Sequence, residues 1–118
     1  MRHATFIVAD LARAQAFYES VFDLTPNPSR PQMSFAGVWY DVGDSQIHLM
    51  CVPNPEAGLT RPAHGGRDRH VAFSVADMTL LQQRLTALGV NYTVSSSGRT
   101  ALFCRDPDDN TLELVAVD

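Results

Sequence analysis

Two short stretches of the chain alternate apolar and other residues in the same frame. Ala4, Phe6 and Val8 recur at every second position, as do Val71, Phe73 and Val75, the spacing of a strand that buries one face. Each stretch runs into an aspartate, Asp10 or Asp77, whose carboxylate suits a helix N-cap. The apolar period then lengthens. Leu11, Ala14, Phe17, Tyr18, Val21 and Phe22 share one helical face, which predicts an amphipathic helix from about Leu11 to Phe22. Met78, Leu81, Leu85 and Leu88 form a second stripe that stops at Gly89, a residue suited to the position after a helix end. Val38 to Val42 and Gln46 to Val52 flank Gly43-Asp44 and read as a β-hairpin. Tyr92 to Ser96, Leu102 to Arg105 and Leu112 to Val117 supply three more strands, with turns at Ser97-Gly98 and from Asp106 to Asn110. Pro26, Pro28 and Pro31 exclude helix in their segment and restrict any strand there to an edge or an irregular piece.

The frame is repeated residue by residue. His3-Ala4-Thr5-Phe6-Ile7-Val8-Ala9-Asp10 and His70-Val71-Ala72-Phe73-Ser74-Val75-Ala76-Asp77 both read H-x-x-F-x-V-A-D, and Ile47-His48-Leu49 is answered by Leu112-Glu113-Leu114. Such self-similarity marks an internal duplication. The chain is therefore expected to be α+β, one domain of two tandem βαβββ modules whose curled mixed sheets form a cup. Residues 1–52 make the first module, 69–118 the second, and the Pro-, Gly- and Asn-rich segment 53–68 a linker in which His64 is solvated.

Composition narrows the partners. With 118 residues, 45% hydrophobic and 19% charged, the chain has the make-up of one ordinary globular domain. A net charge of −4 with singly scattered basic residues argues against a nucleic-acid partner. No apolar run approaches the roughly 20 residues of a membrane span, and no basic segment followed by an apolar one opens the chain, so the expected location is cytoplasmic. Cys51 and Cys104 share no C-x-x-C spacing and read as buried free thiols.

Parity locates the candidate chemistry. If Ala4, Phe6 and Val8 meet a helix, then His3, Thr5 and Ile7 face away from it, and likewise His70, Ala72 and Ser74 in the second module. In the closing strands Ile47, Leu49 and Cys51 would pack under the first helix and Leu112, Leu114 and Ala116 under the second, leaving His48 and Glu113 on the helix-free faces. A buried glutamate is costly unless paired or coordinated, and Glu113 has only apolar neighbours in sequence. A divalent ion held by His3, His48, His70 and Glu113 would remove that cost, and the mixed imidazole-carboxylate donors suit Zn, Mn, Ni or Fe.

These residues, together with Phe17-Tyr18, Gln46-Ile47-His48-Leu49 and the run from Phe103 through Asp106-Pro107-Asp108-Asp109-Asn110 to Leu112-Glu113-Leu114, resemble the vicinal oxygen chelate superfamily. Its members include glyoxalase I, extradiol dioxygenases, fosfomycin-modifying enzymes, methylmalonyl-CoA epimerase and bleomycin-resistance proteins. The short glyoxalase-like proteins are the nearest match. The resemblance implies paired βαβββ modules, a divalent metal and a substrate that chelates it through two neighbouring oxygens. The family pattern maps onto His3, His70 and Glu113, a two-His, one-carboxylate set. His48 departs from it, standing where glyoxalase I has a carboxylate. Asp23 and Asp109 stand where the family usually has Gly, and Asx residues tolerate the left-handed backbone such positions need.

The expected function is a metal-dependent glyoxalase-like isomerase or lyase, in which the ion acts as a Lewis acid on vicinal oxygens and either Glu113 or His48 moves a proton. Arg67, Arg69 or Arg99 would grip a thiol conjugate or other anionic substrate, and Trp39 would line the pocket or pack in the core. Two alternatives stand beside it: an Fe(II)-dependent extradiol-type dioxygenase with His48 as acid or base, and a non-catalytic small-molecule or antibiotic-binding protein. A homodimer is expected by family analogy.

Overall fold

Both aspartates cap the helices they precede. The Asp10 carboxylate accepts the Arg13 N–H at 3.1 Å and starts α1 (Leu11–Phe22), and that of Asp77 accepts the Leu80 N–H at 3.0 Å and starts α2 (Met78–Ala87). Left-handed residues end both helices: Asp23 at φ 57° after α1 and Gly89 at φ 69° beyond α2. Because α2 stops at Ala87, Leu88 turns out of the expected stripe and is half exposed. The computed structural model describes residues 1–117, which fall into two compact units divided after Gly58.

In the first unit β1 (His3–Val8) lies parallel to the central β3 (Ser45–Cys51), and β2 (Ala36–Val42) lies antiparallel on its other side. Phe6 and Val38 both sit opposite Leu49, and Ala4 and Tyr40 opposite Ile47. Phe6, Val8, Val38, Tyr40, Ile47 and Leu49 are buried together with Ala14, Phe17, Tyr18 and Val21 of α1. The Tyr18 ring lies 6.1 Å from Phe6 and 6.3 Å from Tyr40. The Phe, Val, Ile and Leu side chains of this set contribute about 1.5–3 kcal/mol each on full burial. The Tyr40 hydroxyl donates to Glu19 at 2.8 Å, and burial, reinforced by that carboxylate, pushes its pKa well above the ordinary value. A third β-strand after the helix does not form in this unit. Proline has no N–H for a ladder, and among the described residues the segment's backbone pairing with β2 is a bridge between Pro26 and Tyr40 and the Asn27 N–H bond to Trp39 O at 2.7 Å.

The second unit has the full βαβββ order. Its sheet runs β4 (Val71–Val75), β7 (Thr111–Ala116), β6 (Ala101–Arg105), β5 (Tyr92–Val94), with β4 parallel to β7 and the other pairs antiparallel. Leu102 lies opposite Leu114 and Cys104 opposite Leu112, and all four are buried, as are Leu81 and Leu85 of α2. Burial pushes the Cys104 thiol up to about 12, so it stays protonated and inert. Strand β5 is shorter than Tyr92 to Ser96 because serine side chains compete for the backbone: the Ser95 hydroxyl lies 2.7 Å from that of Ser97 and accepts the Ser97 N–H at 3.2 Å.

Part of segment 53–68 is more ordered than a linker. Residues Gly65–Arg67 form a 3₁₀ turn laid against β6 and β7, with Gly65 buried. A Cβ on Gly65 would stand 2.8 Å from Thr111 Cγ2 and 2.9 Å from Phe103 Cβ, so only glycine permits this approach. His64 is accordingly not a freely solvated side chain, as its sequence context predicts. Its Nδ1 accepts the Gly66 N–H at 3.0 Å, its Nε2 lies 3.3 Å from Val94 O, and its ring meets Phe103 edge-on at 5.4 Å.

Candidate functional site

Register builds the same row in each unit. Across the first sheet Thr5, His48 and Trp39 stand side by side, and across the second Ala72, Glu113, Phe103 and Thr93 do. The closing strand of each repeat thus sets a titratable residue beside an aromatic one. His3 lies two residues before Thr5 within β1, hence on the same face, and His70, just ahead of β4, meets Glu113 at 3.2 Å and the Phe103 ring edge-on at 5.1 Å.

In the first unit His48 is the middle ring of a stack. Trp39 lies 4.2 Å away at 6° and His3 4.0 Å away at 13° on centroid distances and interplanar angles. His48 Nε2 is 2.8 Å from Gln46 Oε1, and the Gln46 amide nitrogen donates to Asp41 at 2.9 Å. A carboxylate only accepts, so the amide oxygen faces His48, and Nε2 carries the proton. Nδ1 is then left with its lone pair. Burial, and then the positive charges of His3 and Arg30, hold the His48 pKa below the ordinary imidazole value. The ring is therefore neutral at pH 7, as a ligand or a general base must be.

In the second unit His70 Nδ1 donates to Asp68 O at 2.8 Å, which turns Nε2 toward Glu113 Oε1 at 3.2 Å. A backbone carbonyl on the far nitrogen is the arrangement that orients ligand imidazoles. Asp68 is itself held: its carboxylate accepts from Arg105 at 2.8 Å and Arg61 at 3.3 Å, and Arg105 also reaches Thr111 and Pro62 O. The hydrogen bond from Arg105 is the largest cause holding the Asp68 carboxyl below the usual range.

Glu113 is 4% exposed and does not lack a partner, contrary to what its apolar neighbours in sequence suggest. Arg99 Nη2 donates to its Oε2 at 2.6 Å, reaching across from the turn before β6. Arg99, Glu113, Arg67, Phe103, Ser95 and Ser97 are among the residues that line a cavity of about 480 Å³ in this unit. Arg69 is exposed, outside that lining, and its backbone N–H bonds the Asp68 carboxylate at 2.9 Å. Trp39 is given over to the stack on His48.

The donor chemistry suits a divalent ion: a neutral imidazole with a bare Nδ1 at His48, an oriented Nε2 at His70 and a carboxylate at Glu113. Each unit brings together two of the four expected ligands, His3 with His48 and His70 with Glu113. Among the described residues no three His, Cys, Asp or Glu side chains are gathered around one cation position. Gln46, Asp68 and Arg105, which fix the two imidazoles, escape a sequence reading. Only Gln46 gives a signal, as a polar residue two before His48 on the same strand face.

Residues 1–114 match the Glyoxalase/Bleomycin resistance protein/Dioxygenase superfamily. The protein named Glyoxylase I 4 of Arabidopsis thaliana is 26% identical over 123 residues, an alignment that takes in 100% of this chain and 71% of the relative. Lactoylglutathione lyase GLX1 of Arabidopsis thaliana is 27% identical over 120 residues, 96% of this chain, and the chain spans only 42% of its length. Among solved structures, a variant of the fosfomycin resistance protein FosX of Listeria monocytogenes, in complex with Mn(II) and 1S,2S-dihydroxypropylphosphonic acid, has the same fold. Its TM-score is 0.74 at 21% identity, over 100% of this chain and 92% of that one.

Proposed function

The chain belongs to the Glyoxalase/Bleomycin resistance protein/Dioxygenase superfamily, and from that membership we propose that it is a metal-dependent enzyme of the glyoxalase type. It would act as an isomerase or lyase on a small substrate that presents two neighbouring oxygens. The observation that carries this reading is the His70–Glu113 pair at 3.2 Å, with His70 turned toward the carboxylate by Asp68 O. In the proposal His3, His48, His70 and Glu113 hold the ion, which is Zn, Mn, Ni or Fe. When bound, it supplies Lewis acidity to the two substrate oxygens. The Glu113 carboxylate takes and returns the substrate proton or, where His48 stands beside the ion rather than on it, the bare Nδ1 of that neutral ring does. Arg67 and Arg99 hold an anionic part of the substrate. Lactoylglutathione, named in one relative, is the first product to assay for. The proposal includes a homodimer in the cytoplasm.

The test is elemental analysis of untagged protein beside Glu113→Gln. The reading expects bound metal in the wild type and about a tenfold or greater loss in the variant, the scale on which ligand-shell changes act. Equal and negligible metal in both would contradict it. That outcome would favour a second reading, a small-molecule-binding protein without chemistry, for which the Arg99–Glu113 pair speaks because it already balances the buried carboxylate.

A further inference from the structure

The cavity beside Glu113 holds an imbalance that the pairing conceals. Its wall carries two guanidinium groups, Arg67 and Arg99, and one carboxylate, Glu113. The hydroxyls of Ser95 and Ser97 add neutral donors. Glu113 pairs Oε2 with Arg99 at 2.6 Å, while its Oε1 lies 3.2 Å from His70 Nε2. A dication on Glu113 would take over both oxygens' role and repel a guanidinium left alongside it. Arg99 can leave at little cost. Its side chain is 59% exposed, and the adjoining Gly98 sits at φ 87° in the turn before β6.

We propose that Arg99 is an exchangeable cation: it balances Glu113 in the metal-free protein, and metal loading releases it to join Arg67 and Ser95–Ser97 in binding a small oxyanion in this cavity. This rests on the metal reading above and deepens it: Arg99 becomes available to the anion only once the metal has displaced it from Glu113. Phe103, on the same wall, adds an apolar ring beside the two guanidinium groups, whose charge-assisted hydrogen bonds supply the hold on the anion. Thermodynamic reciprocity follows. If metal frees the anion site, the anion in turn strengthens metal binding by the same factor.

Isothermal titration of untagged protein with Mn(II), and with sulfate as the anion probe, tests the exchange. In wild type, sulfate should bind about tenfold or more tightly to the Mn(II)-loaded protein than to the metal-free protein, within the usual range of coupling between sites. Arg99→Gln should bind Mn(II) about tenfold or more tightly than wild type and lose the effect of metal on sulfate. Arg99→Lys keeps the charge on Glu113, and its Mn(II) affinity should stay within about threefold of wild type, which separates a charge effect from a folding defect. Mn(II) bound equally by wild type and Arg99→Gln, or sulfate binding indifferent to Mn(II), would overturn the exchange while leaving the metal site standing. No Mn(II) bound by any of the three proteins would overturn the metal reading and the exchange with it.

Discussion

At the scale of single residues, a second hydrogen bond decides what a histidine can offer. His48 gives its Nε2 proton to Gln46, whose amide is held by Asp41, so its lone pair is on Nδ1. Replacing Gln46 with Leu removes the acceptor. Nitrogen-15 spectra of the metal-free protein should show His48 as the Nε2–H tautomer in wild type and as a mixture in Gln46→Leu, and an unchanged tautomer would refute the relay. A pH series of the same spectra should place the wild-type midpoint below the ordinary 6.5. Because the folded state then binds fewer protons than the unfolded state, apo-protein stability falls as pH drops through the window beneath that value. Asp23 and Asp109 show what is legible without coordinates. Both stand where the related pattern has glycine, and both adopt left-handed backbone, at φ 57° and 64°. The relay was not legible, because which atom Gln46 turns to which neighbour depends on a cross-strand register with Asp41.

At the scale of elements, period and capping predict both helices, and parity predicts the buried residues of β1 and β3, whereas β7 buries both of its faces, Glu113 included. The misreadings cluster where composition stands for structure. Segment 53–68 has a linker's residues, yet Gly65 serves close approach rather than freedom: it lies on Phe103 and Thr111 with no room for a Cβ. Gly65→Ala should therefore destabilise the protein by about 1–3 kcal/mol, the usual cost of overpacking. Urea unfolding followed by circular dichroism would read it as a lower midpoint, and an unchanged midpoint would mean that the turn does not bear on the sheet. The first module's missing strand has the opposite cause. Pro26, Pro28 and Pro31 leave only the bridge to Tyr40, where alternation without backbone donors cannot build a ladder.

At the scale of the whole molecule, duplication is the feature most readable in the chain and the one that gives the site its logic. The repeated H-x-x-F-x-V-A-D frame becomes two sheets with parallel first and last strands, and each closing strand sets its candidate ligand beside an aromatic ring, His48 by Trp39 and Glu113 by Phe103. The partner of Glu113 was not legible. Arg99 is 14 residues away in sequence on a turn whose reach only the folded chain defines. In the proposed function His3, His48, His70 and Glu113 bind one divalent ion. X-ray absorption at the zinc edge of Zn-loaded untagged protein reads this ligand set. Four such ligands give only nitrogen and oxygen neighbours at about 2.0–2.2 Å, with outer-shell scattering from three imidazoles that falls to two in His48→Ala. An ion without imidazole scattering, or one whose spectrum is the same in the variant, would contradict it.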